Sequence, residues 1–234
     1  MTEEILADAD AVARRAAQVI AAAAREAVAA RGRFLLATSG GSTPWAMLRR
    51  LASEDVPWTR VHLFQVDERA APEGHADRNL THLSASLLSR LPAALAGLHA
   101  MPVEEPDLAA AAARYARTLR AEAGDPPVLD LVQLGLGADG HTASLLPGEP
   151  APAADGPEVI ATGLFQGRRR LTLTLPVIDR SRRIVWVVTG AAKAAALERL
   201  RRGDRAIPAG RVRREQALLL ADAAAGQAAA AGRG

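Results

Sequence analysis

Short apolar runs alternate along the chain with longer segments in which apolar and charged residues recur at the spacing of a helix. The short runs are rich in Val, Leu and Ile, which predicts buried strands, and the longer segments predict helices with one apolar face. The predicted strands cover residues 33–38, 60–66, 128–134, 171–175, 183–189 and 217–220, and the predicted helices cover 2–30, 44–50, 78–88, 107–122 and 191–202. Residues 171–175 alternate Leu and Thr with a period of two, so we expect that strand to be half-exposed.

Strands that alternate with helices predict an α/β fold, with a Rossmann-like, mainly parallel sheet and helices on both of its faces. No repeat or domain boundary interrupts the pattern, so we expect residues 1–234 to form a single domain. A Gly- and Pro-rich stretch at 147–157 predicts a surface loop, and the tail after about residue 225 is expected to be frayed.

Ligands of such sheets bind beyond the carboxyl ends of the strands. Four segments that carry polar or glycine residues follow predicted strands, at residues 39–43, 67–69, 135–141 and 190–193. Their shared placement predicts a single active site at this edge of the sheet.

Composition narrows the chemistry of that site. The chain of 234 residues has no cysteine, which excludes disulfides, thiolate nucleophiles and Cys-based zinc sites. The net charge is only +3 and aromatic residues make up 3% of the chain, so no basic surface with interleaved aromatics indicates a nucleic-acid partner. The N-terminus lacks the apolar core of a signal peptide and no apolar run is long enough to span a membrane, so we expect a cytoplasmic protein with no membrane partner. The histidines lack the spacing of metal ligands, and no metal site is predicted.

The segment from Ser39 to Thr43 joins a predicted strand to a predicted helix. Gly40 and Gly41 allow the backbone N–H groups to approach a ligand, and the helix N-terminus favours an anion. Ser42 and Thr43 add hydroxyl donors. These features predict a phosphate site without the lysine of a Walker loop, and the alternative is a plain N-capped turn.

Residues 135–140 match G-x-G-x-x-G after a strand, which is a pattern of dinucleotide sites. The match comes late in the chain, and no acidic residue is evident at the end of the next strand, so we rank a nucleotide-binding oxidoreductase last. His141 follows directly, and Asp139 is placed to orient it, which predicts a general base near neutral pH. The alternative is that His141 caps a helix. No G-x-S-x-G nucleophile elbow is present, so we favour direct attack by an activated water.

Several segments match one known family in order and along nearly the whole chain. The longest is Gly-Leu-Gly-Ala-Asp-Gly-His-Thr-Ala-Ser-Leu-Leu-Pro-Gly at 135–148. The others are Ser-Gly-Gly-Ser-Thr-Pro at 39–44, Asp-Glu-Arg at 67–69, Arg-Asn at 78–79, Arg-Leu-Thr-Leu-Thr-Leu-Pro at 170–176, Val-Thr-Gly-Ala-Ala-Lys at 188–193 and Leu-Leu-Leu-Ala-Asp-Ala-Ala-Ala at 218–225. Together they resemble the 6-phosphogluconolactonase family, the hydrolases of the pentose phosphate pathway.

The resemblance implies a fold similar to that of sugar-phosphate isomerases and deaminases, with no nucleotide and no other cofactor. It implies hydrolysis of 6-phospho-D-glucono-1,5-lactone to 6-phospho-D-gluconate, with His141 as the catalytic base. The partner is then a small phosphorylated sugar lactone, and we expect a monomer or a weak homodimer. The residues expected to line the substrate site, several of them on the phosphate, are Gly40, Gly41, Ser42, Thr43, Asp67, Arg69, Arg170 and Lys193.

The chain departs from the family pattern at two places. Residues 166–169 read Gln-Gly-Arg-Arg where many members have Lys-Pro-Pro, and Arg78 stands where many members have Ser. The basic residue that meets the phosphate therefore stays open among Arg69, Arg78, Arg168, Arg169, Arg170 and Lys193.

Two alternatives share the same scaffold, namely a glucosamine-6-phosphate deaminase-like enzyme and a non-catalytic sugar-phosphate sensor. Arg69 and the residues at 142–147 favour the lactonase. A sensor of this kind usually carries a DNA-binding domain, and no spare segment here could form one.

Overall fold

The computed structural model describes residues 1–149 and 155–227, so part of the predicted loop at 147–157 and most of the predicted frayed tail lie outside the described residues. The strands are β1 (Thr2–Leu6), β2 (Phe34–Thr38), β3 (Val61–Gln65), β4 (Asp67–Arg69), β5 (Gly97–His99), β6 (Leu131–Leu134), β7 (Val159–Ala161), β8 (Arg170–Leu173), β9 (Ile184–Val188) and β10 (Ala217–Asp222). The α-helices are α1 (Ala9–Arg31), α2 (Ser42–Leu51), α3 (Asn79–Ser86), α4 (Leu108–Ala123), α5 (Leu175–Arg180), α6 (Ala194–Arg201), α7 (Pro208–Arg211) and α8 (Ala223–Gly226). Short 3-10 helices cover Trp58–Arg60, Leu88–Arg90 and Ala191–Lys193.

The central sheet has the strand order β1-β10-β9-β6-β2-β3-β5, and all of its pairings are parallel. A smaller antiparallel sheet has the order β4-β8-β7. Parallel strands need crossover connections, which the helices supply. The predicted α/β class with a mainly parallel sheet is therefore confirmed.

Two apolar cores cover the two faces of the central sheet. One is formed with α1, α2 and α3, and includes Ile20, Leu48 and Leu83. The other is formed with α4 and α6, and includes Tyr115 and Leu197. Helices on both faces, as predicted, bury the strands from both sides, which explains their continuous apolar runs. None of the described helices is long and apolar enough to cross a membrane.

The prediction of one helix over residues 2–30 is wrong at its start. Residues 2–6 form β1, which pairs in parallel with β10. Thr2 lies opposite Leu218 at the start of this pairing. The helix begins only at Ala9, where the side chain of Asp8 accepts a hydrogen bond from the Ala11 amide at 2.8 Å. Pairing with a distant strand has overridden the local helix preference of the glutamates in β1.

The prediction of a half-exposed strand at 171–175 is also wrong, because every residue of β8 is buried. Leu171 and Leu173 belong to the apolar core, as their alternation predicted. The intervening Thr172 is fully buried as well, since its hydroxyl accepts a hydrogen bond from the Ser144 amide at 3.1 Å. The polar face of β8 therefore lies against other protein groups. The alternation of Leu and Thr reflects the alternating side-chain directions of a strand, and not the exposure of one face to solvent.

Neighbouring strands β9, β6, β2 and β3 end side by side at the carboxyl edge of the central sheet. The segments that follow them contain Thr189–Lys193, Gly135–His141, Ser39–Thr43 and Asp67–Arg69. The topology thus brings all of the predicted site segments to one edge of the sheet.

Candidate active site

A cavity of about 210 Å³ opens at the carboxyl edge of the central sheet. Its volume suits a compact ligand and falls below the range of sites for drug-sized molecules, and a dinucleotide is larger still. Every predicted site residue except Asp139 lines it. Its polar and glycine lining residues are Ser39, Gly40, Gly41, Ser42, Thr43, Asp67, Arg69, Asn79, Gly135, Gly137, His141, Arg170, Thr189 and Lys193.

One wall of the cavity is the loop that precedes α2. Ser39 fixes the start of this loop on β6, because its amide donates to Gln133 Oε1 and its hydroxyl donates to the Gln133 carbonyl, both at 3.1 Å. Gly41, with φ 125° and ψ 163°, occupies the N-cap position of α2 without any side-chain cap. The amides of residues 40–43 hydrogen-bond to no other part of the chain that the structure describes. Free N–H groups at a helix N-terminus are suited to binding an anion, and the alternative of an N-cap by a side chain does not hold.

Asn79 packs against the same loop and was not singled out by its own chemistry in the sequence. A Cβ on Gly40 would lie 2.0 Å from Asn79 Oδ1, so only glycine allows the loop to pass this close. Asn79 Nδ2 donates to the Asp67 carbonyl at 2.9 Å, while Asn79 Oδ1 is buried without a hydrogen-bond partner among the described residues. A buried acceptor without a donor is costly, so a ligand donor at this wall is favoured.

Arg69 and Arg170 lie directly opposite each other on the antiparallel strands β4 and β8. Like charges in such a pair are destabilising by themselves. Burial, reinforced by the positive charge of Arg69, lowers the pKa of the Arg170 guanidinium. The Nε atoms of both arginines are buried and have no partner in the described ranges. An anion between the two guanidinium groups would relieve the repulsion and accept these hydrogen bonds.

The carboxylate of Asp67 is held away from the role of a phosphate ligand. Its Oδ2 accepts a hydrogen bond from Ser144 Oγ at 2.6 Å and lies 4.0 Å from Arg170 Nη1. Arg170 Nη1 also donates to Ser144 Oγ at 3.4 Å. Because two anions repel each other, Asp67 is suited to positioning Arg170 or to accepting from a sugar hydroxyl.

His141 and Asp139 form a close pair at the rim of the cavity. Asp139 Oδ1 lies 2.6 Å from His141 Nδ1, and the same oxygen accepts the His141 backbone amide at 3.1 Å. Burial would raise the pKa of Asp139, but the hydrogen bonds and positive field of His141 outweigh it and lower that pKa. An ionised Asp139 holds the proton of His141 on Nδ1, which leaves the Nε2 lone pair available as a base.

The turn between β6 and His141 depends on two glycines. A Cβ on Gly137 would lie 2.1 Å from His141 Nδ1 and 2.4 Å from Asp139 Oδ1. Gly140 has φ 90°, and a Cβ there would lie 2.6 Å from Ile207. The role of these glycines is therefore to fix the position of the imidazole, and not to bind the phosphate of a nucleotide.

No helix follows this turn within the described residues up to 149, in contrast to a dinucleotide fold. Residues 141–149 form turns, with an isolated bridge between Thr142 and Leu145. The pyrophosphate of a dinucleotide binds at the N-terminus of the helix after its glycine motif. The nucleotide alternative and the interpretation of His141 as a helix cap therefore both lack their structural requirement.

Phe165 contacts both His141 and Arg170, and nothing in the sequence singled it out. It stands at the tip of the hairpin between β7 and β8, where Gln166 and Gly167 turn the chain with φ values of 52° and 78°. Its ring meets His141 edge-on at a centroid distance of 5.4 Å, and the guanidinium of Arg170 lies 4.6 Å from its centroid. The hairpin thus places an apolar wall beside the polar groups.

Lys193 reaches the cavity from the turn after β9. This turn begins at Gly190, whose amide donates to both carboxylate oxygens of Asp222 at 3.0 Å. Asp222 ends β10 and also accepts the Ala225 amide at 2.8 Å. Asp222 therefore positions the segment that carries Lys193. Nothing in the sequence at 218–225 marked it for this role.

Three of the candidate phosphate ligands point elsewhere. Arg78 is buried, donates to the Ala71 carbonyl at 2.9 Å and lies 3.4 Å from Glu68, so it serves the structure under the site. Arg168 pairs with Asp77 at 2.9 Å, and Arg169 donates to the Thr162 carbonyl at 3.4 Å. Arg69, Arg170 and Lys193 are the candidate cations that line the cavity.

The chain is similar to known proteins in sequence and in fold. Residues 7–220 match the family of glucosamine-6-phosphate isomerases/6-phosphogluconolactonase. The chain is 40% identical to a 6-phosphogluconolactonase of Synechocystis sp. over 176 residues, 74% of this chain and 73% of that protein. It is 35% identical to a 6-phosphogluconolactonase of Nostoc sp. over 233 residues, 96% of this chain and 97% of that protein. The fold is similar to the crystal structure of a 6-phosphogluconolactonase from Shewanella baltica, with a TM-score of 0.79, 26% identity and coverage of 95% of this chain and 98% of that chain.

Proposed function

The chain belongs to the family of glucosamine-6-phosphate isomerases and 6-phosphogluconolactonases, and we propose on this premise that it hydrolyses 6-phospho-D-glucono-1,5-lactone to 6-phospho-D-gluconate. The observation that carries the assignment is the pair of His141 and Asp139 at the rim of a cavity that is also lined by Arg69, Arg170 and Lys193. A base beside an anion site is the combination that a phosphorylated ester needs. The reaction places the chain in the pentose phosphate pathway.

The phosphate of the substrate is bound between the α2 loop and the opposed arginines. The free amides of residues 40–43 and the guanidinium groups of Arg69 and Arg170 are the donors, and Lys193 adds charge at the same cavity. Each charge-assisted hydrogen bond contributes about 1.5–3 kcal/mol. The bound phosphate thereby holds the lactone in one orientation. The lactone carbonyl then lies at a fixed position relative to His141, so the reaction no longer depends on random collisions.

The sugar ring then lies against the remaining polar wall. Asn79 Oδ1 accepts from a ring hydroxyl, and Asp67 holds Arg170 in place through Ser144. Phe165 packs edge-on against His141 and adds an apolar group beside the imidazole. These contacts bind and orient the substrate, and they take no part in the cleavage of the lactone bond.

His141 Nε2 takes a proton from a water molecule, whose oxygen attacks the lactone carbonyl carbon. The carbonyl π electrons move to oxygen, and the tetrahedral intermediate collapses with cleavage of the bond to the ring oxygen. The imidazolium returns its proton to that leaving oxygen, which becomes the hydroxyl of the open-chain acid. Asp139 stabilises the imidazolium in between.

The test is the hydrolysis itself. Glucose-6-phosphate dehydrogenase generates the lactone, and its disappearance is followed with and without the protein against the spontaneous rate. We expect a clear acceleration and no release of ammonia from glucosamine 6-phosphate, which separates the lactonase from the deaminase. If the protein gave no acceleration over spontaneous hydrolysis, the proposed lactonase activity would be refuted. A normal rate for His141→Ala would leave the activity standing but refute the base.

We further propose that residues 1–234 act as a single domain in the cytoplasm, as a monomer or a weak homodimer. The continuous central sheet, in which β1 from the start of the chain pairs with β10 near its end, supports the single domain. Sedimentation velocity at several protein concentrations measures the oligomeric state, and a stable tetramer would contradict the proposal. Imaging of a tagged chain in its host tests the compartment.

A further inference from the structure

A second cluster of polar side chains lies at the β5 edge of the central sheet, outside the cavity. It consists of His62 on β3, His99 on β5 and Glu122 in the last turn of α4. One ligand atom of each residue lies within 4.8 Å of the other two. The three residues are far apart in the sequence, so their spacing there gave no sign of the cluster.

Two distances within the cluster match the edges of a small coordination tetrahedron. His62 Nδ1 lies 3.2 Å from His99 Nε2 and 3.3 Å from the nearer Glu122 carboxylate oxygen. Bonds of about 2.0–2.1 Å to a tetrahedral Zn²⁺ place two ligand atoms about 3.3 Å apart. We propose that His62, His99 and Glu122 form a binding site for a divalent transition-metal ion, with Zn²⁺ as the best match, and that its role is structural.

The backbone leaves room for these ligands at one position. Gly97 stands directly opposite His62 in the β3–β5 pairing. A Cβ on Gly97 would lie 2.7 Å from His99 Nε2 and 3.1 Å from His62 Nδ1. The absent side chain therefore creates the space in which the two ligand nitrogens meet.

The protonation of the pair also suits metal binding. The two rings are within 6° of parallel, and their facing nitrogens are much closer than the ring centroids at 5.5 Å, so the rings meet edge to edge and share one proton. Neutral imidazoles are the form that binds metal. A metal needs only a change of tautomer in one ring and a turn of both rings toward the ion.

The position of the site indicates its role. The side chains of His62 and Glu122 are 19% and 32% exposed, so an ion can enter and a water can complete four ligands. None of the three residues lines the catalytic cavity. The β3–β5 pairing covers only residues 62–64 and 97–99, so the sheet has a short edge strand here. A metal would tie this strand to its neighbour and to α4, and would stabilise the fold without entering the reaction.

The proposal is tested by metal titration of the full chain after treatment with EDTA. Zn²⁺ binding is measured by calorimetry, and Co²⁺ is used as a spectroscopic probe whose intense visible absorption reports four-coordinate geometry. We expect one equivalent to bind and to raise the melting temperature. His62→Gln and His99→Gln should each weaken binding by at least about tenfold, since even partners of metal ligands contribute that much. The variant His82→Gln, which changes a histidine outside the cluster, should bind as the wild type does.

Three outcomes would overturn the proposal. The first is no Zn²⁺ binding by a folded wild-type chain, which would leave the cluster as a hydrogen-bonded histidine pair. The second is binding that His62→Gln and His99→Gln leave unchanged, which would place the metal elsewhere. The third is loss of lactone hydrolysis on EDTA treatment by a chain that remains folded, which would contradict a purely structural role. Circular dichroism of each variant establishes that the chain is folded before binding is measured.

Discussion

The substitution Asp139→Asn tests how the carboxylate acts on His141. One oxygen of Asp139 serves two donors, the backbone amide of His141 at 3.1 Å and the ring Nδ1 at 2.6 Å. The backbone amide fixes which end of an asparagine side chain faces it, because the Nδ2 end cannot accept. The substituted side chain would therefore still present an oxygen to Nδ1–H, and the productive tautomer would survive. Only the negative charge is lost.

The magnitude follows from that single loss. Charge-assisted hydrogen bonds contribute about 1.5–3 kcal/mol and neutral ones about 0.5–1.5 kcal/mol. The Asp139 side chain is 47% exposed, so solvent screens the rest of its field. We expect the barrier to rise by about 1–1.5 kcal/mol, which corresponds to a factor of about 5–13 in kcat. Asp139→Ala also removes the orientation of the ring and should cost about 10²–10³, within the 10²–10⁴ that a general base supplies.

The assay couples lactone disappearance to a dehydrogenase that oxidises the open-chain acid, with the spontaneous rate subtracted. Asp10→Asn is a matched control, since Asp10 is another half-exposed carboxylate paired with arginines and lies outside the cavity. A double variant of Asp139→Ala with His141→Ala should be no slower than His141→Ala alone. A loss of about 10⁴ in Asp139→Asn, the effect of a wrong tautomer, would refute the argument from the shared oxygen. So would equal rates for the Asn and Ala variants.

Three further predictions rest on single contacts. Arg69→Gln should raise KM at least about tenfold, because a charged donor to the phosphate is lost. The melting temperature of the ligand-free protein should be no lower, because the opposed like charges cost about 0.2–1 kcal/mol of stability. An unchanged KM would contradict the assignment of Arg69 to the phosphate. Gly137→Ala should lower kcat by at least about 10², since its Cβ would lie 2.1 Å from His141 Nδ1, while Gly163→Ala, with no atom within 4 Å, should leave kcat unchanged. Burial lowers the pKa of His99, so the unfolded chain binds more protons as the pH falls through about 6.5, and the free energy of unfolding in urea with EDTA should fall there. His99→Gln should flatten that dependence, and an equally steep fall in the variant would show that another group causes it.

The sequence predicted those features that depend on local order along the chain. The strands before Ser39, Asp67, Gly135 and Gly190 are short apolar runs, and parallel topology alone requires their carboxyl ends to meet at one edge. The contact between Asp139 and His141 was also within reach, since only Gly140 separates them. Such features need no knowledge of distant partners.

Features that depend on distant partners could not be predicted in the same way. Residues 2–6 have ordinary helix formers, and only β10, more than two hundred residues later, makes them a strand. The opposition of Arg69 and Arg170 needs the register of β4 on β8. Phe165 reaches His141 only because a tight hairpin turns at Gln166, where a non-glycine residue has φ 52°. A single sequence carries no signal for these registers.

The candidate anion site draws its donors from both sheets. The free amides at the start of α2 follow β2 of the central sheet, whereas Arg69 and Arg170 belong to β4 and β8 of the smaller sheet. An anion in the cavity is thus shared between the two sheets, and it would offset the repulsion between Arg69 and Arg170 within the smaller one. The same hairpin that continues β8 carries Phe165 onto His141, so relief of that repulsion and placement of the apolar wall act through one element. Binding energy from the phosphate, which does not react, is in this way available to order the groups around the lactone carbonyl, which does.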